Sequence, residues 1–290
     1  MCWLSKNLQA NRKTANSYIT CCDNTDGIGA QIHAICSTII FADVFGLTYV
    51  HTPISNVQHI LNFGDQLKYW NNYLNFNNYK SINSLNLDTL NKKNVRKPVF
   101  FWKKSNTIYF VRNCHQFTDH HLVDYQVIRS LKKIYKPANL NRFENVLNIA
   151  IHVRRGDVSE DNINSSRYTP LNILNKLLKD IIKIASENRF DYLINLYSQG
   201  KENDFSGLGD IKVNYRLDEN EFSTFKSLVE SDILITAKSS FSYTAALFSD
   251  GIILYEPFWH PPMKNWISIN SYKYSILSKK ISDIILSKNL

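Results

Sequence analysis

VLNIAIHVRRGD, residues 146–157, sets apolar side chains almost without a break from Val146 to Val153 and then turns abruptly to charge. A strand with one face in water alternates apolar and polar residues. This run does not, so it reads as a strand buried on both faces, the kind a parallel α/β sheet contains. Its charged end is then the carboxyl end of a sheet strand, where open α/β folds bind ligands. His152, Arg154, Arg155 and Asp157 become candidates for chemistry on position alone.

Working outward, the elements alternate. A polar loop at 154–169 leads into a helix over 170–188, with Pro170 at its start, where proline is tolerated. Strands follow at 191–197, 211–215, 232–236 and 251–255, with helices over 220–229, 240–248 and 273–286. Upstream, 17–21 reads as a strand, Asp26-Gly27-Ile28-Gly29 as a turn, and 30–45 as a helix stopped by Gly46. Residues 47–51 make the next strand. The Asn-rich stretch 55–95 shows no clear period; 99–102 reads as a strand, 120–135 as a helix, and Pro137 opens a linker. The pattern predicts an α/β protein of two Rossmann-like domains facing a cleft, over 1–140 and 141–290, with the last helix free to pack back on the first domain.

With 290 residues, 44% hydrophobic and 13% aromatic, the chain has material for sizeable cores. Its net charge of +9 suits anionic partners. The basic residues form neither a basic helix nor a stacking sheet, which argues against a nucleic-acid binder. Five cysteines without metal-site spacing point to a reduced compartment. The first residues lack a signal-peptide core, and no stretch approaches the roughly 20 apolar residues of a membrane span. The expectation is a cytoplasmic chain with no integral membrane segment, whose charge also suits peripheral contact with a membrane surface. No Asp-x-Asp pair, zinc spacing or P-loop occurs, so no metal or other cofactor is expected.

Three loops at strand ends carry the chemistry. In the first, Gly27 and Gly29 let a ligand approach a helix N-terminus, with Gln31 just inside; glycine at such a turn is also ordinary structure. In the second, Arg154 and Arg155 leave the strand in different directions, so one can reach a ligand while the other braces the loop. Guanidinium groups match phosphate oxygens in pairs and stay charged. Asp157 can orient an arginine, bind a hydroxyl or act as a base. In the third, Ser239 or Ser240 caps a helix whose free amides, with that of Phe241, can grip a phosphate. Together the second and third loops describe a diphosphate site, in which fixed cations can stabilise a departing diphosphate without a metal.

His152-Val153-Arg154-Arg155-Gly156-Asp157 resembles the HxRRGD motif of α1,2-fucosyltransferases and, more distantly, the HxRR segment of α1,6-fucosyltransferases. Ser239-Ser240-Phe241-Ser242 resembles the SSFSWW segment of the α1,2 group, and Gly27-Ile28-Gly29-Ala30-Gln31 the GxGNQ loop. Motif order and spacing agree from residue 27 to about 260. The resemblance implies a GT-B architecture, GDP-fucose as donor, a glycan hydroxyl as acceptor, inversion at the sugar carbon and no metal. It implies that Arg154 is catalytic, binding the diphosphate and supporting its departure, and that Arg155 and Asp157 position the donor and the loop; as a carboxylate of that loop Asp157 is also the favoured catalytic base. His152, Arg155, Ser239, Ser240, Phe241, Gly27, Gly29 and Gln31 would hold the donor. The sequence departs from the pattern at Ala30, at Tyr243-Thr244 and at Thr224, where both groups carry an aspartate that reads guanine in the α1,6 group; Glu221 lies one turn away. For the base, Asp157, Glu160, Asp161, Asp26 and Asp43 all stand as candidates, and Asn162 falls near a family glutamate. A nucleotide- or glycan-binding module without turnover, or a transferase using another nucleotide sugar, is the alternative.

Overall fold

The computed structural model describes residues 16–57, 70–95, 104–121 and 145–288. The chain divides into two compact units, Met1–Lys136 and Pro137–Leu290. The strand expected at 99–102, residues 122–135 of the expected helix, and the linker at Pro137 lie outside the described residues.

The first unit holds β1 (Ser17–Cys21), β2 (Thr48–His51), β3 (Lys80–Ser81), β4 (Asn91–Val95) and β5 (Thr107–Val111), in the order β3-β2-β1-β5-β4. Every pairing is parallel. Helix α1 (Ile28–Phe45) crosses from β1 to β2, and Gly46 ends it in the left-handed conformation, its amide bonded back to Ala42 and Asp43. That is the glycine stop anticipated from sequence. A short helix, α2 (His115–His121), follows β5.

Helix α1 corrects one expectation. Its 18 residues, at a mean hydropathy of 1.6, are long and apolar enough to cross a bilayer. In the structure 78% of that stretch is buried by protein. A helix apolar on all sides is what a crossover sealed beneath other elements needs. Two of its polar side chains are satisfied from within the helix: Ser37 and Thr38 both donate to the Ala34 carbonyl at 2.8 Å.

The second unit holds β6 (Val146–His152), β7 (Asp191–Ser198), β8 (Asn214–Leu217), β9 (Ile233–Ile235), β10 (Ile252–Tyr255) and β11 (Ile267–Ser268), ordered β11-β10-β9-β6-β7-β8. All pairings are parallel. Counted from its own first strand the order is 3-2-1-4-5-6, that of the dinucleotide-binding fold. Strand β6 lies at the centre, hydrogen-bonded to β7 and β9, which is why its sequence is apolar without alternation. Helix α3 (Leu171–Glu187) offers Leu174, Leu177, Leu178, Ile181, Ile184 and Ala185, a stripe at helical spacing. That stripe joins Leu147, Ile149 and Ile151 in one buried cluster. Each such leucine or isoleucine contributes about 1.5–3 kcal/mol by leaving water.

The opposite face carries α4 (Glu221–Glu230) and α5 (Ser240–Phe248), whose Phe225 and Phe241 rings meet edge to face at 5.6 Å. His152, on that face of β6, packs against Phe241. The closing helix, α6 (Tyr274–Lys288), packs within the second unit. Its buried residues Leu277, Ile281 and Ile285 belong to the second unit's own core. Three side-chain hydrogen bonds tie it and the residues before it to α3 and its end: Tyr272 to Asp180, Tyr274 to Glu187, and Ser282 to Asn188. At its end the Lys288 ammonium lies 2.9 Å from the buried Asp232 carboxylate and donates to the Val146 carbonyl. Asp232 also accepts the Asn148 amide at 2.8 Å.

Candidate functional site

In the second unit the strand order reverses direction between β6 and β9. Open α/β sheets bind ligands at such a switch, beyond the carboxyl ends of the strands, where the diverging loops leave a crevice. The loops that leave those two strands are 153–170 and 236–239, the second and third loops of the sequence reading.

Gly156 sits at φ +79°, and a Cβ there would fall 2.2 Å from the Gln199 side-chain oxygen. The positive φ favours glycine, while the Gln199 side chain is flexible enough to move aside, so conformation rather than space fixes the turn after the arginines. Ser198 holds the strand end by donating to the Val153 carbonyl at 2.6 Å. The Arg-Gly-Asp tripeptide is thereby a structural turn.

The two arginines divide their work. Arg155 turns away: its guanidinium donates to the Arg154 and Thr169 carbonyls at 3.0 Å each and stacks on the Tyr168 ring at 4.1 Å. It is a brace, and the donor contact implied by the resemblance has no support in its position. Arg154 extends over the switch point. It donates from Nε and Nη2 to the two Asp157 oxygens at 3.1 and 2.6 Å, and from Nη1 to the Ser239 hydroxyl at 3.4 Å.

Asp157 therefore has both carboxylate oxygens on Arg154, and its carbonyl takes the Asn162 and Asn164 amides at 3.0 Å. Partial burial raises its carboxyl, but the Arg154 hydrogen bonds and the charges of Arg154 and Arg167 outweigh this and hold it below the usual carboxylate range. A carboxylate so held is a weak proton acceptor. Asp157 anchors Arg154, and Asn162 pins the loop. Glu160 and Asp161 are exposed on the same loop.

Ser239 caps α5, accepting the Phe241 amide through Oγ at 3.3 Å and the Tyr243 amide through its carbonyl. Ser242 is buried and ties the loop back by accepting the Ala237 amide at 3.1 Å. Ser240 opens the helix, whose first turn presents backbone N–H groups and the positive end of the dipole. Burial, with the charges of Arg154 and Arg167, drives the His152 imidazole down to about 3. It is neutral at ordinary pH, and its Nδ1 is buried without a hydrogen-bond partner in the protein. Thr224 lies buried on α4, where its amide continues the helix from Asn220.

Of the first-unit residues, Gln31 is engaged within the protein. Gln31 is buried and donates to the Asp26 and Asn56 carbonyls, stapling two loops together. Gly27 precedes α1 with no neighbour where a Cβ would stand, and Gly29 is buried in its first turn. Asp26 pairs with Arg112 at 3.6 Å, at the β1/β5 switch point of this sheet. Asp43 lies in the last turn of α1, about 22 Å along the helix from the start. That end is remote from the strands' carboxyl ends, which removes Asp43 as a base.

Three residues escaped the sequence reading. Arg167 closes a short 3₁₀ turn at Ser165–Arg167, donates to the Lys238 carbonyl at 3.3 Å, and lies over the Trp259 ring. Trp259 follows β10 in Pro257-Phe258-Trp259-His260-Pro261, a proline-bracketed aromatic run that could have flagged it. Glu256 directly follows β10, a carboxylate at a strand's carboxyl end, which is the rule applied to Asp157 and not extended to it. It is buried, accepts the Thr169 hydroxyl, and lies 3.7 Å from the Lys238 ammonium. The Lys238 side chain thus points beneath the loop.

Burial pushes the Glu256 carboxyl up to about 7, against the opposing pull of Thr169, Lys238 and Arg155. The folded chain then keeps this proton to higher pH than the unfolded chain does. Its contribution favours folding below the ordinary glutamate range and is lost as pH rises through about 7. Glu256→Gln should remove that dependence. Urea denaturation between pH 5 and 8 should show wild type losing on the order of 2–3 kcal/mol relative to the variant. Parallel curves would contradict it.

No family model matches the chain, and no curated protein matches it. Solved structures similar to it include POFUT1 in complex with GDP at high resolution, with 10% identity over 83% of this chain and 96% of that one, at a TM-score of 0.45. A second crystal form of POFUT1 with GDP has 7% identity over 84% and 98%, at 0.42. POFUT1 in complex with GDP-fucose has 10% identity over 83% and 96%, at 0.41.

Proposed function

We propose that the second unit binds the diphosphate of a nucleotide sugar and that the protein is a metal-independent, inverting glycosyltransferase, with fucose from GDP-fucose as the transferred group and a glycan hydroxyl as acceptor. The observation that carries this is the position of Arg154. It leaves the central strand at the switch point, is aligned by Asp157, and reaches the serine cap of α5. The motif resemblance names the donor. A guanidinium and a helix N-terminus converging on one point are suited to charge that develops on a leaving diphosphate. The α/β architecture with two parallel sheets agrees with the expected pair of Rossmann-like domains, and a GT-B arrangement is part of the proposal.

Incubating the full chain with GDP-, UDP- and dTDP-sugars, and following hydrolysis, transfer and binding, tests the reading. GDP-fucose is expected to bind and turn over. Preference for a UDP- or dTDP-sugar would keep the class and remove fucose, as the replacement of the guanine-reading aspartate by Thr224 makes worth asking. No binding of any of them would sink the proposal.

A second reading, binding without turnover, is favoured by the engagement of both Asp157 oxygens. Calorimetric GDP binding with no product by mass spectrometry would select it.

A further inference from the structure

Arg167 is twelve residues beyond the double arginine, yet the loop carries it back to the switch point. Its guanidinium is half-buried and is held on two sides. Nε donates to the Lys238 carbonyl, in the same short segment that leads to Ser239, and the Trp259 ring lies 5.1 Å away as a cation–π partner. The ring is itself braced by Phe258, at 5.0 Å, and His260. Trp259 nonetheless stays 58% exposed, one of few large apolar side chains so placed among the described residues. An arginine supported in this way has lost much of its rotamer freedom before any ligand arrives.

The charges around it do not balance. Arg154 and Arg167 repel each other, and Asp157 is the carboxylate that acts on both. Asp157 gives both its oxygens to Arg154. The neighbouring Lys238 ammonium is directed to Glu256 and the Tyr168 carbonyl. His152 stays neutral. Folding has therefore placed a second guanidinium beside the first without, among the described residues, a carboxylate of its own, next to a helix N-terminus. Such an arrangement costs free energy in the empty protein and is relieved by an anion.

We propose that Arg167, pre-oriented by Trp259, is the second phosphate-binding guanidinium of this site, the place that Arg155 holds by motif position alone. The inference rests on the diphosphate reading above and adds a residue to it. Arg154 and Arg167 would each take oxygens of a diphosphate, while Arg155 holds the loop from beneath.

Titration calorimetry of the full chain with inorganic pyrophosphate and with GDP tests this. Arg167→Ala should weaken both by a similar factor, roughly ten- to a hundredfold, the worth of a charged hydrogen bond. Arg167→Lys should recover only part, because the ammonium cannot fork. Trp259→Ala should weaken pyrophosphate by a smaller factor, with Trp259→Phe closer to wild type. Arg155→Ala should lower the Tm more than Arg167→Ala does. Should Arg167→Ala fail to fold, Arg167→Gln serves for the same titration. Pyrophosphate affinity unchanged in folded Arg167 variants overturns the inference, while transfer from GDP-fucose would still stand. Pyrophosphate binding that depends on Arg167, without preference for GDP over other nucleotides, supports the inference and removes the guanine donor. Wild type that binds neither overturns both.

Discussion

Arg154→Ala is expected to lower sugar transfer by about 10²- to 10³-fold, the usual cost of removing one preorganised donor from developing negative charge. The loss should fall on kcat and kcat/KM together if Arg154 acts chiefly on the departing diphosphate. Removing the guanidinium also deprives Asp157 of its partner on both oxygens and leaves a carboxylate facing the ligand's phosphates. Asp157→Asn separates the two effects. An anchor can be imitated in part by an amide, so this variant should retain much more activity than Arg154→Ala. A base cannot be imitated, and collapse of Asp157→Asn to the level of Arg154→Ala would restore Asp157 as the proton acceptor. The melting temperature of Arg154→Ala should stay near wild type, since the residue is partly exposed and its bonds stay within the site. Full activity in that variant would remove the central claim.

The second large effect concerns stability. Lys288→Ala should destabilise the second unit by about 3–5 kcal/mol, because it strands the buried Asp232 carboxylate beneath the amino end of β6. Urea or thermal denaturation checks this. The accompanying Asp232→Asn change should recover part of the loss by removing the stranded charge. A loss below about 1 kcal/mol in the single variant would mean that the pair behaves as a surface ion pair.

Much of the second unit could be read from sequence because its signals are local. The stretch 146–153 is apolar throughout, helix 240–248 begins after a serine cap, and Pro170 stands at the start of a helix with a clear apolar stripe. Strand β5 escaped because five residues, TIYFV, carry too little pattern to stand out from the aromatic background. Strand β4, NKKNV, has almost no apolar content and is a strand only because β5 pairs with it. In the site, residue types were legible and directions were not. Strand β6 ends at His152, so strand alternation no longer assigns Arg154 and Arg155 to a face, and the two could not be told apart. Arg167 is brought in by the path of the loop over 154–169, and no spacing in the sequence records that path.

The sheet edges have a consequence for how the chain meets copies of itself. Strand β3 ends one side of the first sheet with Lys80, and β4 ends the other with Lys92 and Lys93, all exposed. In the second sheet, β11 is two residues long and β8 carries the exposed Arg216. A neighbouring chain seeking to add a strand would meet positive charge or too short a template at each of the four edges. Part of the net positive charge thus acts against fibre-like association, and it would do so at whatever concentration a transferase, or a binding module, has to be stored.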